Sequence, residues 1–207
     1  MRLILALAAS LLVAGCGRAE SNDAAAPAPA PPAKALALNL AAAAPTAGLI
    51  KVASDAVGAD GSFDRRYTSY GDNLSPPLSW TPVTAAATYA VVLEDPDAHS
   101  ETPFVHWLIW GIPAAATSLP AGIAGGPKAT APGGAIQGLN GVGDVGYYGP
   151  HPPAGTGVHH YHLEVFALDG PLKLTPDAGI SQLTAAMKGH VIAGGELVGT
   201  FAAPAAP

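Results

Sequence analysis

Gly146-Tyr147-Tyr148-Gly149-Pro150-His151-Pro152-Pro153-Ala154-Gly155-Thr156-Gly157-Val158-His159-His160-Tyr161 changes character along its length. Its first part is crowded with glycine and proline, which fix a tight loop whose backbone can come close to a ligand. Its end runs into a strand predicted from Tyr161 to Leu168. Extended backbone puts His159 and Tyr161 on one face with Leu163 and Val165, and His160, His162 and Glu164 on the other. The first face continues into apolar residues and is predicted to point inward.

Three more strands are legible outward from this stretch. Tyr89-Ala90-Val91-Val92-Leu93-Glu94 is one, closing at Asp95-Pro96-Asp97. Phe104 to Trp110 is apolar on both faces, the mark of a central, covered strand. Glu196 to Phe201 is a fourth. Glycine and proline between them favour turns over helices. One helix is predicted, with start signals at Thr175-Pro176-Asp177, a face made of Ile180, Leu183, Thr184 and Met187, and Gly189 as the stop. Gly122 to Gly146 reads as a long glycine-rich loop, a kind that is usually functional or mobile. The expectation is a mainly β, mostly antiparallel domain with minor helix.

The N-terminal part has a different texture. Arg2 precedes an apolar run from Leu3 to Ala14, too short to span a bilayer comfortably and suited to a signal peptide over residues 1–15. The run ends in Leu12-Val13-Ala14-Gly15-Cys16, which resembles the bacterial lipobox and makes Cys16 the predicted lipidation site. Cys16 is the chain's only cysteine, so no intramolecular disulfide is available to it. Residues 16–47 are dominated by alanine and proline and are expected to be an extended tether, with a transient helix within Lys34 to Ala44. The folded domain is expected over 48–203, with a short tail at 204–207. Such a protein sits in the cell envelope on the periplasmic side. With no Asp following Cys16, the outer membrane is favoured in a Gram-negative cell. The formal net charge is −6 in 207 residues, and the few basic residues form no stripe, which argues against nucleic acid as a partner.

Candidate chemistry gathers at three places. Asp95 and Asp97 flank a turn, where Asp and Pro are common for reasons of backbone alone. His106 lies inside an apolar run, where alternation groups it with Phe104, Leu108 and Trp110, and a buried imidazole needs partners for its ring nitrogens. The third place is the glycine–proline loop with His159 and Tyr161.

Asp95-Pro96-Asp97-Ala98, the His106-Trp107 pair, and Gly149 to Tyr161 with its paired prolines and spaced glycines resemble the signature regions of the phosphatidylethanolamine-binding proteins. The likeness is strongest to the bacterial Raf-kinase-inhibitor-like branch. Tyr70 to Trp80, Phe166 to Asp169, Gly189 to Ala193 and Leu197 to Phe201 support it, and it extends over about 49 to 202. The resemblance implies two antiparallel sheets with one or two peripheral helices, and a small anion pocket. Carried over residue by residue, Asp95 and His106 form one wall, with Asp97 beside them. Gly149, Pro152 and Pro153 form the loop rim, and His159 and Tyr161 close the other side. A phosphate or phosphorylated head group would accept hydrogen bonds from an imidazole and from loop amides. Asp95 would raise an imidazole's pKa and tighten phosphate binding at mildly acid pH. Two residues depart from the family pattern: His99 stands where proline is usual, and His160 where arginine is frequent.

Three other readings compete. His160, His162 and Glu164 on one strand face offer imidazole and carboxylate ligands for a transition metal, though at no signature spacing. His106 with Asp95 offers a base for hydrolysis, but no nucleophile elbow or oxyanion motif accompanies it. A protein partner in the envelope is a third possibility that no motif names. The expectation is therefore a binding protein and not an enzyme, without cofactor or metal.

Overall fold

The computed structural model describes residues 34–41, 49–126 and 132–205; the apolar N-terminal run, Cys16 and residues 17–33 lie outside the described residues. The described chain forms, in order, α1 (Ala37–Ala41), β1 (Val52–Ala53), β2 (Leu78–Trp80), β3 (Thr88–Asp95), β4 (Phe104–Pro113), β5 (Ser118–Leu119), β6 (Ile136–Gln137), β7 (Val158–Leu168), α2 (Ile180–Met187) and β8 (Val191–Ala202). The strands build a five-stranded sheet in the order β6-β4-β3-β7-β8 and a three-stranded sheet in the order β1-β2-β5. Neighbouring strands in both sheets are antiparallel. The fold is mainly β, as the sequence predicts.

β3 takes the middle of the large sheet because its residues, from Tyr89 to Leu93, leave no side that water could wet. Tyr89, Val91 and Leu93 join Trp107, Ile109, Leu163 and Val165 on one face and pack against Leu78, Trp80 and Leu119 of the small sheet. Ala90 and Val92 join Leu108, Trp110, Phe166 and Leu168 on the other, under Leu183 and Met187 of α2 and Ala37 and Ala41 of α1. Each large side chain fully buried in these layers contributes about 1.5–3 kcal/mol. β8 admits the chain before β1 only through a glycine: a Cβ on Gly195 would stand 1.9 Å from the carbonyl oxygen of Ile50.

The pairing of β3 with β4 slips by one residue between Leu93 and Glu94. Leu93 faces Trp107 and Glu94 faces Val105, so His106 is the extra residue of a β-bulge. The bulge reverses the alternation beyond it. Val105 falls on the helix side with Leu108 and Trp110, while the His106 ring lies 5.3 Å from that of Tyr161, a residue of the opposite core layer. The predicted grouping of His106 with Leu108 and Trp110 is therefore corrected. Pairing was assumed continuous where the chain carries one residue too many.

Two further expectations change. α2 begins after Gly179, not at Thr175, because Ala178 N–H closes a turn on the Thr175 carbonyl (2.9 Å) and Ala178 itself is buried; Gly189, at φ 84°, ends the helix as predicted. The glycine-rich stretch from Gly122 to Gly146 contains β6, whose Gln137 accepts from Trp107 Nε1 (2.6 Å) and donates to the Ala124 carbonyl (2.7 Å). A buried amide with both ends occupied ties this stretch to the central sheet.

The end of the predicted tether is part of the fold. α1 lies on the helix-side face, with Ala37 and Ala41 buried, over two carboxyl groups. Ala37 N–H donates to Glu94, and Leu38 N–H donates to Glu164 Oε1 (3.1 Å). Glu164 is fully buried, and its Oε2 has no partner among the described residues. Burial, and then the neighbouring Glu94, push its pKa well above the ordinary carboxyl value; burial also raises Glu94. The folded state thus holds a proton that the unfolded chain releases. This contribution to stability is complete below the ordinary carboxyl value of 4.5 and diminishes as pH rises above it. Glu164→Gln keeps an acceptor for Leu38 and removes the titration. Its thermal midpoint is expected to exceed that of the wild type at pH 8 by about 2–4 °C for each kcal/mol relieved. The gap should close by pH 5. Unfolding curves at the two pH values check this, and an unchanged gap would refute it.

Candidate binding site

The site is built where β3 ends. Asp95 is only 3% exposed, and its carboxylate is satisfied from two directions. Oδ1 accepts the amides of Asp97 (2.8 Å) and Ala98 (3.2 Å), which bends the chain into a turn after Pro96. Oδ2 lies 2.7 Å from Nδ1 of His159, the buried second residue of β7. Nε2 of His159 is 2.9 Å from the Thr156 hydroxyl, which also lies 2.8 Å from the Pro153 carbonyl. A continuous polar chain therefore runs from the central strand to the glycine–proline loop.

His106 forms the second wall. Its Nδ1 lies 2.7 Å from the carbonyl oxygen of Tyr148. A carbonyl only accepts, so Nδ1 carries the hydrogen. Burial pushes the His106 pKa down to about 4, against the opposing pull of the Tyr148 and Gly149 backbone and of Asp95. The ring is neutral at physiological pH. Phe104 (4.8 Å between centroids) and Tyr148 (6.1 Å, stacked) flank it.

Asp95, His106 and His159 floor a cavity of about 230 Å³, walled by Phe104 and Tyr148 and rimmed by His99, Val142, His151, Pro152 and Pro153. The volume lies below the ~300 Å³ where sites for drug-sized ligands begin. Of the predicted site residues, Asp95, His106, His159, Pro152 and Pro153 meet here. Three others do not line the cavity. Asp97 turns outward and binds the backbone and ring of His160 (2.8 and 2.7 Å). Burial would raise its pKa, but these bonds outweigh that and hold it below the ordinary range. Tyr161 is fully buried in the core, its hydroxyl without a partner among the described residues. Gly149 is a packing residue: its N–H donates to Asn73 Oδ1 (2.7 Å), and a Cβ would lie 2.7 Å from the Tyr67 carbonyl oxygen.

The loop amides were also expected as donors. Tyr148 N–H is spent on the His106 carbonyl (2.9 Å) and Gly149 N–H on Asn73, while Pro150, Pro152 and Pro153 have none. The imidazole that Asp95 was expected to hold is that of His159, and the His106/Asp95 dyad of the competing hydrolase reading does not form. The face offered by the competing metal reading separates as well: His160 binds Asp97, His162 binds Glu196 (3.0 Å), and Glu164 is sealed under α1. Phe104, Tyr148, His151 and Thr156 belong to the site without having been assigned to it from sequence, and His99, noted there only as a departure from the family pattern, lines it too. The signal for Thr156 lay in the motif itself, as a hydroxyl three residues before His159.

These features define a two-sheet β protein with one small polar-floored cavity at the end of its central strand. The sequence model of the phosphatidylethanolamine-binding proteins matches residues 53–202. The chain belongs to that family. It is 44% identical over 137 residues to the UPF0098 protein PH1269 of Pyrococcus horikoshii, across 66% of this chain and 68% of that one. It is 35% identical over 158 residues to LppC of Mycobacterium tuberculosis, named as a candidate lipoprotein, across 76% of this chain and 75% of that one. Among solved structures it is similar to YbcL of Escherichia coli, described as a member of the mammalian PEBP family (TM-score 0.69, 28% identity, 75% of this chain and 99% of that one). It is also similar to the homologue CT736 of Chlamydia trachomatis (TM-score 0.66, 29% identity, 75% and 99%).

Gly149→Ala is expected to destabilise the protein by about 1–3 kcal/mol through overpacking against Tyr67 and Asn73. Chemical denaturation reads this directly, and a neutral result would show that Gly149 is not held by packing.

Proposed function

We propose that the protein is a lipid-anchored binding protein of the cell envelope whose cavity takes a small anionic ligand, such as phosphate or a phosphorylated head group, and that it acts by binding and not by catalysis. The observation that carries this reading is the convergence of Asp95, His106 and His159 on the floor of one small cavity with imidazoles at its rim. The aromatic and proline walls limit the ligand's size. The His99 and His151 rings at the rim supply nitrogen donors that an anion can meet on entry. Without an Asp95–His106 dyad, His106 lacks the carboxylate that would orient it as a base. The anchor is supported by the lipobox-like Leu12 to Cys16 and by the lipoprotein name of the mycobacterial relative. Among the described residues no helix is long and apolar enough to cross a membrane.

Two experiments test the reading. Titration with phosphate and with phosphoethanolamine at pH 6, followed by NMR, should move the ring signals of His106 and His159 saturably and leave His160 and His162 in place. His106→Ala should weaken binding at least tenfold, about 1.4 kcal/mol. No saturable shift at millimolar ligand would sink the anion pocket. For the anchor, Cys16→Ser should move the protein from the membrane fraction to the soluble fraction; retention in the membrane would remove the lipid from the account.

A further inference from the structure

Lys34 to Ala41, which lies between Cys16 and the domain in sequence, holds the chain on both sides of Asp95. On one side, Ala37 N–H donates to the carboxyl group of Glu94, the residue before Asp95 in β3. On the other, Lys34 Nζ donates to the carbonyl oxygen of Ala98, in the turn that follows Asp95. A cationic donor makes the stronger kind of hydrogen bond. The Ala98 N–H is one of the two amides that satisfy Asp95 Oδ1 (3.2 Å), and Ala98 lines the cavity. Residues 94 and 98 are thus held by one segment, while Asp95 between them faces the cavity.

The seat of this segment is part apolar and part acidic. Ala37 and Ala41 are buried against the helix-side layer. Leu38 lies against β8, where a Cβ on Gly194 would stand 2.8 Å from its Cδ1. A helix as short as α1 has no stability of its own in water, and alanine side chains bury little area. Its hold therefore depends on the polar contacts: the first amides of α1 on Glu94 and Glu164, and Lys34 on Ala98.

We propose that Lys34 to Ala41 is a releasable strap: docked, it braces the turn that carries Asp95, with Lys34 as the positioning residue; released, it loosens that turn and lengthens the chain between Cys16 and the domain. The strap does not depend on which ligand the cavity takes. Its release is set by the carboxyl pair beneath α1. The charged groups facing that pair are His162 of β7 and Glu196 of β8, bonded to each other, and Glu101, which lines the same cleft as Glu94 and Ala35. Neither α1 nor α2 carries a titratable side chain. The docked strap buries the pair, and burial raises both carboxyl groups, so the pair retains a proton. Once the strap leaves, water reaches the pair and the proton is lost in the ordinary range. Docking is therefore favoured below the ordinary carboxyl value of 4.5 and weakens as pH rises above it. The loss is up to about tenfold per pH unit for one proton.

The test is amide hydrogen exchange of the purified protein, followed by NMR at pH 5, 6.5 and 8 and expressed as protection relative to unstructured chain at each pH. In the wild type, the Leu38 and Ala98 amides should lose protection together, by about tenfold or more between pH 5 and 8, while Val91 in the central strand keeps its own. Glu164→Gln removes the proton shared by the pair and leaves His162, Glu196, Glu101 and Lys34 in place; both amides should then stay protected at pH 8. Lys34→Met keeps the apolar stem and removes the donor. It should leave Leu38 protected and expose Ala98 alone, and Lys34→Arg should restore Ala98. Protection of Leu38 that does not change with pH would overturn the release. Protection of Ala98 that survives both the loss of Leu38 protection and Lys34→Met would overturn the bracing. Exchange is read without ligand, so a failed phosphate titration leaves the strap standing.

Discussion

A carboxylate buried as deeply as that of Asp95 must be given hydrogens, and much of the site follows from supplying them. Left unpaired, such a charge would cost several kcal/mol. Two of its partners are backbone amides, available only if the chain turns immediately after Pro96. The third is the ring of His159, which must stand at the start of β7 and opposite the end of β3. The His159 ring then meets Thr156, and Thr156 meets the Pro153 carbonyl. One electrostatic requirement thereby fixes the end of the central strand, the start of its neighbour and the position of the loop that rims the cavity.

The strands were legible because burial leaves a direct mark on sequence. Tyr89 to Leu93 has no polar face, and a strand of that kind can only be central. The inward face of His159 and Tyr161 was legible for a related reason, since their strand pairs with β3 without a slip up to Glu94. The face of His106 was not. A bulge is a mismatch between two strands, and a single strand read by itself contains no sign of it. The partner of Asp95 was hidden for the same reason. Two imidazoles were candidates, and only the bulge decides which of them stands within 3 Å. Gly149 shows a different limit. A glycine demanded by a motif reads equally well as a ligand contact or as a packing requirement, and the atoms that choose between them, in Tyr67 and Asn73, are some 80 residues away in sequence. The helix expected within Lys34 to Ala44 is present as α1, but its docking was not legible, because alanine-rich chain has little to bury by itself. Its docking depends on Glu94 and Glu164, which accept its first amides.

The two faces of the large sheet carry the same problem, a buried carboxyl group, solved in opposite ways. Asp95 is matched with three N–H groups and an imidazole's hydrogen among them, and Asp95 lines a cavity. Glu164 is given one amide and a second carboxyl beside it, and burial drives it toward its protonated form. The first arrangement holds a charge where a ligand can reach it. The second neutralises one where only α1 can.

The substitution of His160 for the arginine frequent in relatives bears on how the cavity is charged. If residue 160 reached the ligand, losing a permanent cation would leave the site weakened. Strand alternation prevents this: residue 160 points to the opposite face from His159, its half-exposed ring bonded to Asp97. The exchange therefore changes the outer surface and leaves the cavity's own groups as they were. His99 acts at the other departure from the pattern, because it stands on the cavity rim and adds an imidazole there. Of the two departures, only the one at residue 99 therefore bears on the cavity.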